Sequence, residues 1–211
     1  MRIIIFGAAG MVGTRTAAEA LARGHEVTAV VRDPNRELPA GVRIEVGDAA
    51  DPEAAARLLK GHDAAVSAVR APAGAEHLQV EATAALLQGA AATGVRLLVV
   101  GGAATLMVPG GGLTVLEDPR YVPEEWRSVA EASAAQHRQC AGERQADWTY
   151  LSPPAVLEPG ERTGEYRLGR DELLSDAAGV SRISAEDLAV AVLDELEHPG
   201  HRRARFTVAA A

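Results

Sequence analysis

Apolar residues recur along this chain with two periods. Unbroken runs such as Ile3-Ile4-Ile5-Phe6 predict strands buried on both faces, as do the segments Glu26–Val31, Val42–Val46, Asp63–Val69, Arg96–Val100 and Asp147–Leu151. Between them the spacing turns helical. Val12, Ala17, Ala20 and Leu21 form one stripe, with Gly24 placed to end the helix. Asp51 as N-cap and Pro52 at the first helical position start a short helix that stops near Gly61. Ala75–Thr93 reads as a helix closed by Gly94, and Glu124–Gly142 as another. Ser184-Ala185-Glu186-Asp187 resembles a capping box ahead of the apolar face Leu188, Val192 and Leu196, and Arg205–Val208 supplies a closing strand. Strands alternating with helices predict a doubly wound parallel α/β sheet, a Rossmann fold, as a single domain over residues 1–211.

The first strand–turn–helix unit carries the candidate chemistry. Its turn, Gly7-Ala8-Ala9-Gly10-Met11-Val12-Gly13, is spaced G-x-x-G-x-x-G. Glycines there let backbone N–H groups approach a dinucleotide pyrophosphate, and the helix N-terminus adds partial positive charge. About 20 residues beyond such a turn, an acidic side chain receives the ribose 2′-hydroxyl in NAD-selective sites. Arg32 stands at that place with Arg36 nearby, and a guanidinium matches a 2′-phosphate, so the expected cofactor is NADP. Adjacent Asp33 is the residue that would serve NAD instead. Asp48, at the end of the third strand, is placed to receive an adenine amino group, and Ser67-Ala68-Val69 are small enough to leave room for a ligand at the sheet's C-terminal edge.

Composition narrows the class. Net charge is −8 with no basic block, which argues against nucleic acid or anionic membrane as partner. Cys140 is the only cysteine, so no intrachain disulfide forms. The uncharged stretch 97–116 is long enough to cross a bilayer, but its glycines and Pro109 make it a poor spanning helix; it reads as a strand and a flexible loop. A cytoplasmic protein, monomer or homodimer, is the expectation. No metal site is expected either: His137 and Cys140 share a helical face, but no further ligands converge.

With these pieces placed, the chain resembles an atypical short-chain dehydrogenase/reductase. More narrowly, it resembles the small NAD(P)H-binding proteins of the NADH-flavin-reductase-like and biliverdin-reductase-B-like family. The segments GAAGMVG (7–13), VRDP (31–34), GDAAD (47–51), GGAATLMVPGG (101–111), DWTYLSPPAVLEPGERTGEYRLG (147–169) and SRISAEDLAVAVLDELEHP (181–199) carry the likeness. It implies pyrophosphate at Gly7, Ala9, Gly10, Met11, Val12 and Gly13, the 2′-phosphate near Arg32, and adenine near Asp48 and Ala49. It further implies riboses against Ser67, Ala68 and Val69, and nicotinamide near Gly101, Gly102, Pro153, Pro154 and Ala155. Loop 105–123 and segment 156–182 would wall the substrate side.

One departure from that family's main branch follows from counting. Lys60 is the only lysine, and no tyrosine precedes it by four residues, so the Tyr-x-x-x-Lys acid–base pair is absent. A flavin or quinone acceptor tolerates this, because hydride transfer needs alignment and solvent can supply the proton. Thr105 and Tyr121 are the candidate donors for an acceptor that needs one. The expected activity is an NADPH-dependent reductase acting on a small conjugated acceptor, with FMN or FAD as substrate rather than prosthetic group. An NAD(P)-binding redox sensor without turnover is the alternative, and an NAD(P)-dependent epimerase ranks last.

Overall fold

Ile3, Ile4, Ile5 and Phe6 are all fully buried because their strand has a helix layer on each side. In the computed structural model, which describes residues 1–211, strand β1 (Arg2–Phe6) pairs in parallel with β2 (Glu26–Val31) and with β4 (Ala64–Ser67). β3 (Arg43–Val46) extends the sheet beyond β2, while β5 (Arg96–Val100), β6 (Trp148–Ser152) and β10 (Ala204–Ala210) extend it beyond β4. β8 (Tyr166–Gly169) closes that edge and is the one antiparallel member, so the order is β3-β2-β1-β4-β5-β6-β10-β8. A parallel pair, β7 (Val156–Glu158) and β9 (Arg182–Ser184), stands apart.

Side chains alternate across this sheet with the strand period of two. Ile3 and Ile5 join Val66, Leu98 and Phe206 beneath α1 (Met11–Ala22) and α5 (Ala185–Glu197). Ile4 and Phe6 join Ala65, Leu97 and Tyr150 beneath α2 (Pro52–Leu59), α3 (His77–Thr93) and α4 (Arg127–Gly142). Each fully buried Ile or Phe contributes about 1.5–3 kcal/mol by leaving water, so β1 anchors both layers. No helix is long and apolar enough to cross a membrane.

The helix ends follow local rules. Gly24, at φ +80°, closes α1 in a Schellman arrangement: His25 N–H reaches Ala20 O at 3.0 Å and Gly24 N–H reaches Leu21 O at 2.9 Å. The Asp51 carboxylate accepts from Glu53 N and Ala54 N, capping α2 as expected. Ser184 caps α5 by accepting from Asp187 N at 3.0 Å, but the expected capping box is incomplete. The Asp187 carboxylate turns outward and binds Thr163 N, Thr163 Oγ1 and Gly164 N, each at 2.8 Å. It fastens the preceding loop rather than its own helix.

One expectation changes and another is refined. Segment 156–182 holds the short strands β7 and β8, whose few residues give no readable alternation. The stretch after β5 is a loop without helix or strand, as expected, but one with packing of its own. Leu106, Val108, Val115 and Leu173 form a small core of their own, stitched by Met107 N–H to Asp171 O and Leu173 N–H to Met107 O, both 2.8 Å.

Candidate active site

Strand order reverses between β1 and β4, and such a switch point opens a crevice at the strands' C-terminal ends. A cleft of about 1080 Å³ occupies it. One end is built by the glycine turn. Gly7 has φ +77°, and a Cβ there would lie 2.5 Å from Ala68 O; a Cβ on Gly13 would lie 2.2 Å from Gly7 O. Only glycine lets α1 pack this tightly against β1 and β4. Gly10, the N-cap, has no side chain to cap the helix, so the first-turn amides of Met11 and Val12, which line the cleft, face no intrahelical acceptor. That cradle fits a pyrophosphate.

Most expected site residues meet in this cleft. Gly7, Ala9, Gly10, Met11, Val12, Arg32, Asp48, Ala49, Ala68, Val69, Gly101, Gly102, Pro153, Pro154 and Ala155 all line it. Arg32 and Arg36 are exposed at its rim, in no ion pair. Asp33 spends its Oδ1 on Asn35 N and Nδ2, each at 3.0 Å, closing its own turn. Its Oδ2 carries no hydrogen bond, and neither does the Arg32 guanidinium, so both side chains can meet a ligand at this rim. Asp48 closes a similar turn with Ala50 N at 3.0 Å and keeps its other oxygen available.

Three expected residues stand elsewhere. Gly13 serves helix packing, as above. Ser67 is 1% exposed and does not reach the cleft, because the strand period aims it into the sheet's interior. Thr105, the candidate donor, is also off the cleft. Its Oγ1 accepts from Arg205 Nη1 at 2.7 Å and lies 3.1 Å from His137 Nδ1, so it tethers the loop to β10 and α4. Burial, with Arg205 nearby, pushes His137 down to about 4. Tyr121 does line the cleft. Of segment 156–182, only Val156 and Leu157 reach it.

The structure adds a support that the sequence did not single out. Tyr150, fully buried in β6, donates to Ser133 O at 3.0 Å and accepts from Gly102 N–H at 3.3 Å. A Cβ on Gly101 would lie 1.9 Å from its hydroxyl oxygen. Burial pushes this phenol up to about 12, and it does not line the cleft, so it acts as a prop beneath the Gly101–Gly102 backbone. Ser133 and Gln79, both buried, join the lining from α4 and α3. Lys60 lies far from all of this. It follows α2 at the opposite edge of the sheet, beside Arg2 and His62 in a polar cavity of about 550 Å³.

Fold and cleft define a nicotinamide-dinucleotide protein, and comparison with known proteins agrees. The NAD(P)H-binding family model matches residues 7–199. The uncharacterised protein YwnB of Bacillus subtilis is 43% identical over 212 residues, covering 99% of this chain and 98% of its own. A Streptomyces 3-diazoavenalumate denitrifying reductase is 34% identical over 163 residues, 67% of this chain and 52% of its own. The solved structure of SP1627 from Streptococcus pneumoniae, provisionally assigned as an NADH-flavin reductase, superposes with a TM-score of 0.91 at 32% identity over the full length of both chains. This chain belongs to the NAD(P)H-binding family and is an NAD(P)H-dependent oxidoreductase.

Proposed function

We propose that this protein reduces a flavin, quinone or similar conjugated acceptor with NADPH. The observation that carries this reading is the cleft's continuity: the glycine turn and Arg32 share one cavity with an apolar, aromatic far wall of Leu78, Val115, Tyr121, Val122, Trp126 and Val129. NADPH, when bound, supplies the hydride. Amides of the 7–13 turn hold its pyrophosphate, Arg32 takes the 2′-phosphate and Asp48 the adenine amino group. Gly101, Gly102 and Pro153 to Ala155 back the nicotinamide, with Tyr150 fixing the height of that floor.

The far wall orients a flat ring and excludes water, and such alignment alone is worth about 7–11 kcal/mol. Solvent delivers the proton that completes the two-electron reduction. No buried acid is asked to supply it, in keeping with Tyr150 and Thr105 both lying off the cleft. A diazo-bearing substrate, as the name of the Streptomyces relative gives it, belongs to the same electron-poor class. The cofactor and the single cysteine, buried and reduced, support action in the cytoplasm.

Stopped-flow mixing of the protein, NADPH and FMN or a quinone tests this. Rapid loss of nicotinamide absorbance is expected. Tight NADPH binding with no oxidation across the acceptor panel would replace the reductase by a sensor.

A further inference from the structure

The charges lining the cleft are unevenly placed. Its only carboxylates, Asp33 and Asp48, lie at the Arg32 end. The far half carries two arginines and no carboxylate, in a chain whose net charge is −8. Arg120 is neutralised: Asp118, 3% exposed, accepts from its Nε at 3.0 Å and from its Nη2. Arg70 has no such partner. It follows β4 on the loop beyond Val69, and its guanidinium carbon sits 5.8 Å from the centroid of the Trp126 ring. Trp126 is 52% exposed, an unusual placement for so large an apolar side chain. Glu76, on the same loop, accepts at Oε1 from Gly74 N at 3.0 Å and Ser128 Oγ at 3.1 Å, makes no ion pair with Arg70, and does not line the cleft.

We infer that Arg70, braced on Trp126, is a specificity-determining residue that selects acceptors carrying an anionic group, phosphate or carboxylate, on a flat conjugated ring. A guanidinium within cation–π reach of an indole and without a carboxylate partner keeps its N–H donors free, and those donors match the planar fork of a carboxylate or two oxygens of a phosphate. The same pair offers an apolar face to the ring and a cation to its substituent. The inference rests on the far half being the acceptor site, as proposed above. It goes further by naming what the acceptor must carry and which residue reads it.

Flavin fluorescence, titrated against the protein saturated with NADP⁺, tests this without turnover. FMN and riboflavin share one ring and differ in the phosphate. FMN is expected to bind about tenfold more tightly, the scale of one charge-assisted contact. Arg70→Gln should erase that preference and leave NADPH affinity, measured by calorimetry, unchanged; Arg70→Lys should retain part of it. A naphthoquinone carboxylate compared with its methyl ester, in the same competition, separates carboxylate from phosphate as the preferred group.

Equal binding within both pairs overturns the inference. So does an Arg70→Gln loss that falls on NADPH as heavily as on FMN, which would place Arg70 on the cofactor. If FMN is preferred and yet neither flavin oxidises NADPH, the anion-reading site stands and the reductase reading falls.

Discussion

At the scale of single residues, the cleft divides into positions that need a functional group and positions that must have none. On the proposed function, Arg32 is the first kind. Arg32→Ala should raise the KM for NADPH tenfold or more and leave NADH nearly unaffected, because only NADPH presents a second phosphate there; steady-state kinetics with both coenzymes decide it, and equal losses would refute the assignment. Gly101 is the second kind. Gly101→Ala drives a methyl into the Tyr150 hydroxyl, so the floor must shift and kcat should fall more than folding stability. The pair Gly101→Ala with Tyr150→Ala tests the cause, because the added methyl would also lie 2.0 Å from the ring carbon Cζ, which Tyr150→Phe would retain. Tyr150→Phe alone should cost about 1 kcal/mol in denaturant unfolding through its lost hydrogen bonds. That Arg32 stands at the cleft is legible in the sequence, because its distance from the glycine turn is a local count. Thr105 was misread because its direction is set by Arg205, a hundred residues later, and by His137 on α4. Nothing in the spacing of neighbours reports such partners.

Among elements, the long parallel strands and their helices were legible because burial on both faces leaves continuous apolar runs. The short ones were not. β7 has three residues and β8 four, and Leu168 at the outer edge is 59% exposed, so neither shows a buried face that a pattern could reveal. The join between α5 and the 159–165 segment was hidden in the same way, since Asp187 looks from sequence like an ordinary first-turn acid. Two substitutions there should separate the roles. Ser184→Ala removes the cap of α5 and should cost about 1 kcal/mol of unfolding free energy. Asp187→Ala leaves that cap but releases Thr163 and Gly164. Hydrogen exchange should then quicken at those two amides while α5 itself stays protected.

Taken whole, the molecule joins α1, α5 and the 159–165 segment through a cluster of charges. Glu19 on α1 is 7% exposed and accepts from Arg162 Nε at 2.7 Å and from Arg23 Nε at 2.8 Å. Arg23 also reaches Asp194 and Glu197 on α5, each at 2.7 Å. The hydrogen bond from Arg162 leads the causes that hold the Glu19 carboxyl down to about 2, against the opposing pull of burial. Its folded value lies below its ordinary 4.5, so its contribution is complete above that pH and is lost as pH falls through about 2. His137 adds an earlier step, because its ring is held neutral and charges more readily in the unfolded chain: stability drops from about pH 6.5 towards 4. Discounted for the exposure of Arg162, Glu19→Gln should cost on the order of 1–2 kcal/mol at neutral pH, with the gap closing near pH 2. Urea unfolding across that range measures it, and a constant gap would remove the ionised carboxylate from the explanation.

The polarity of the parallel sheet also has a practical yield. It puts the cleft at one pole and Lys60, the sole lysine side chain, at the other. A biotin or fluorophore coupled to that amine would tether the protein by its back, leaving the mouth open towards solution for immobilised-sensor measurements of coenzyme and acceptor.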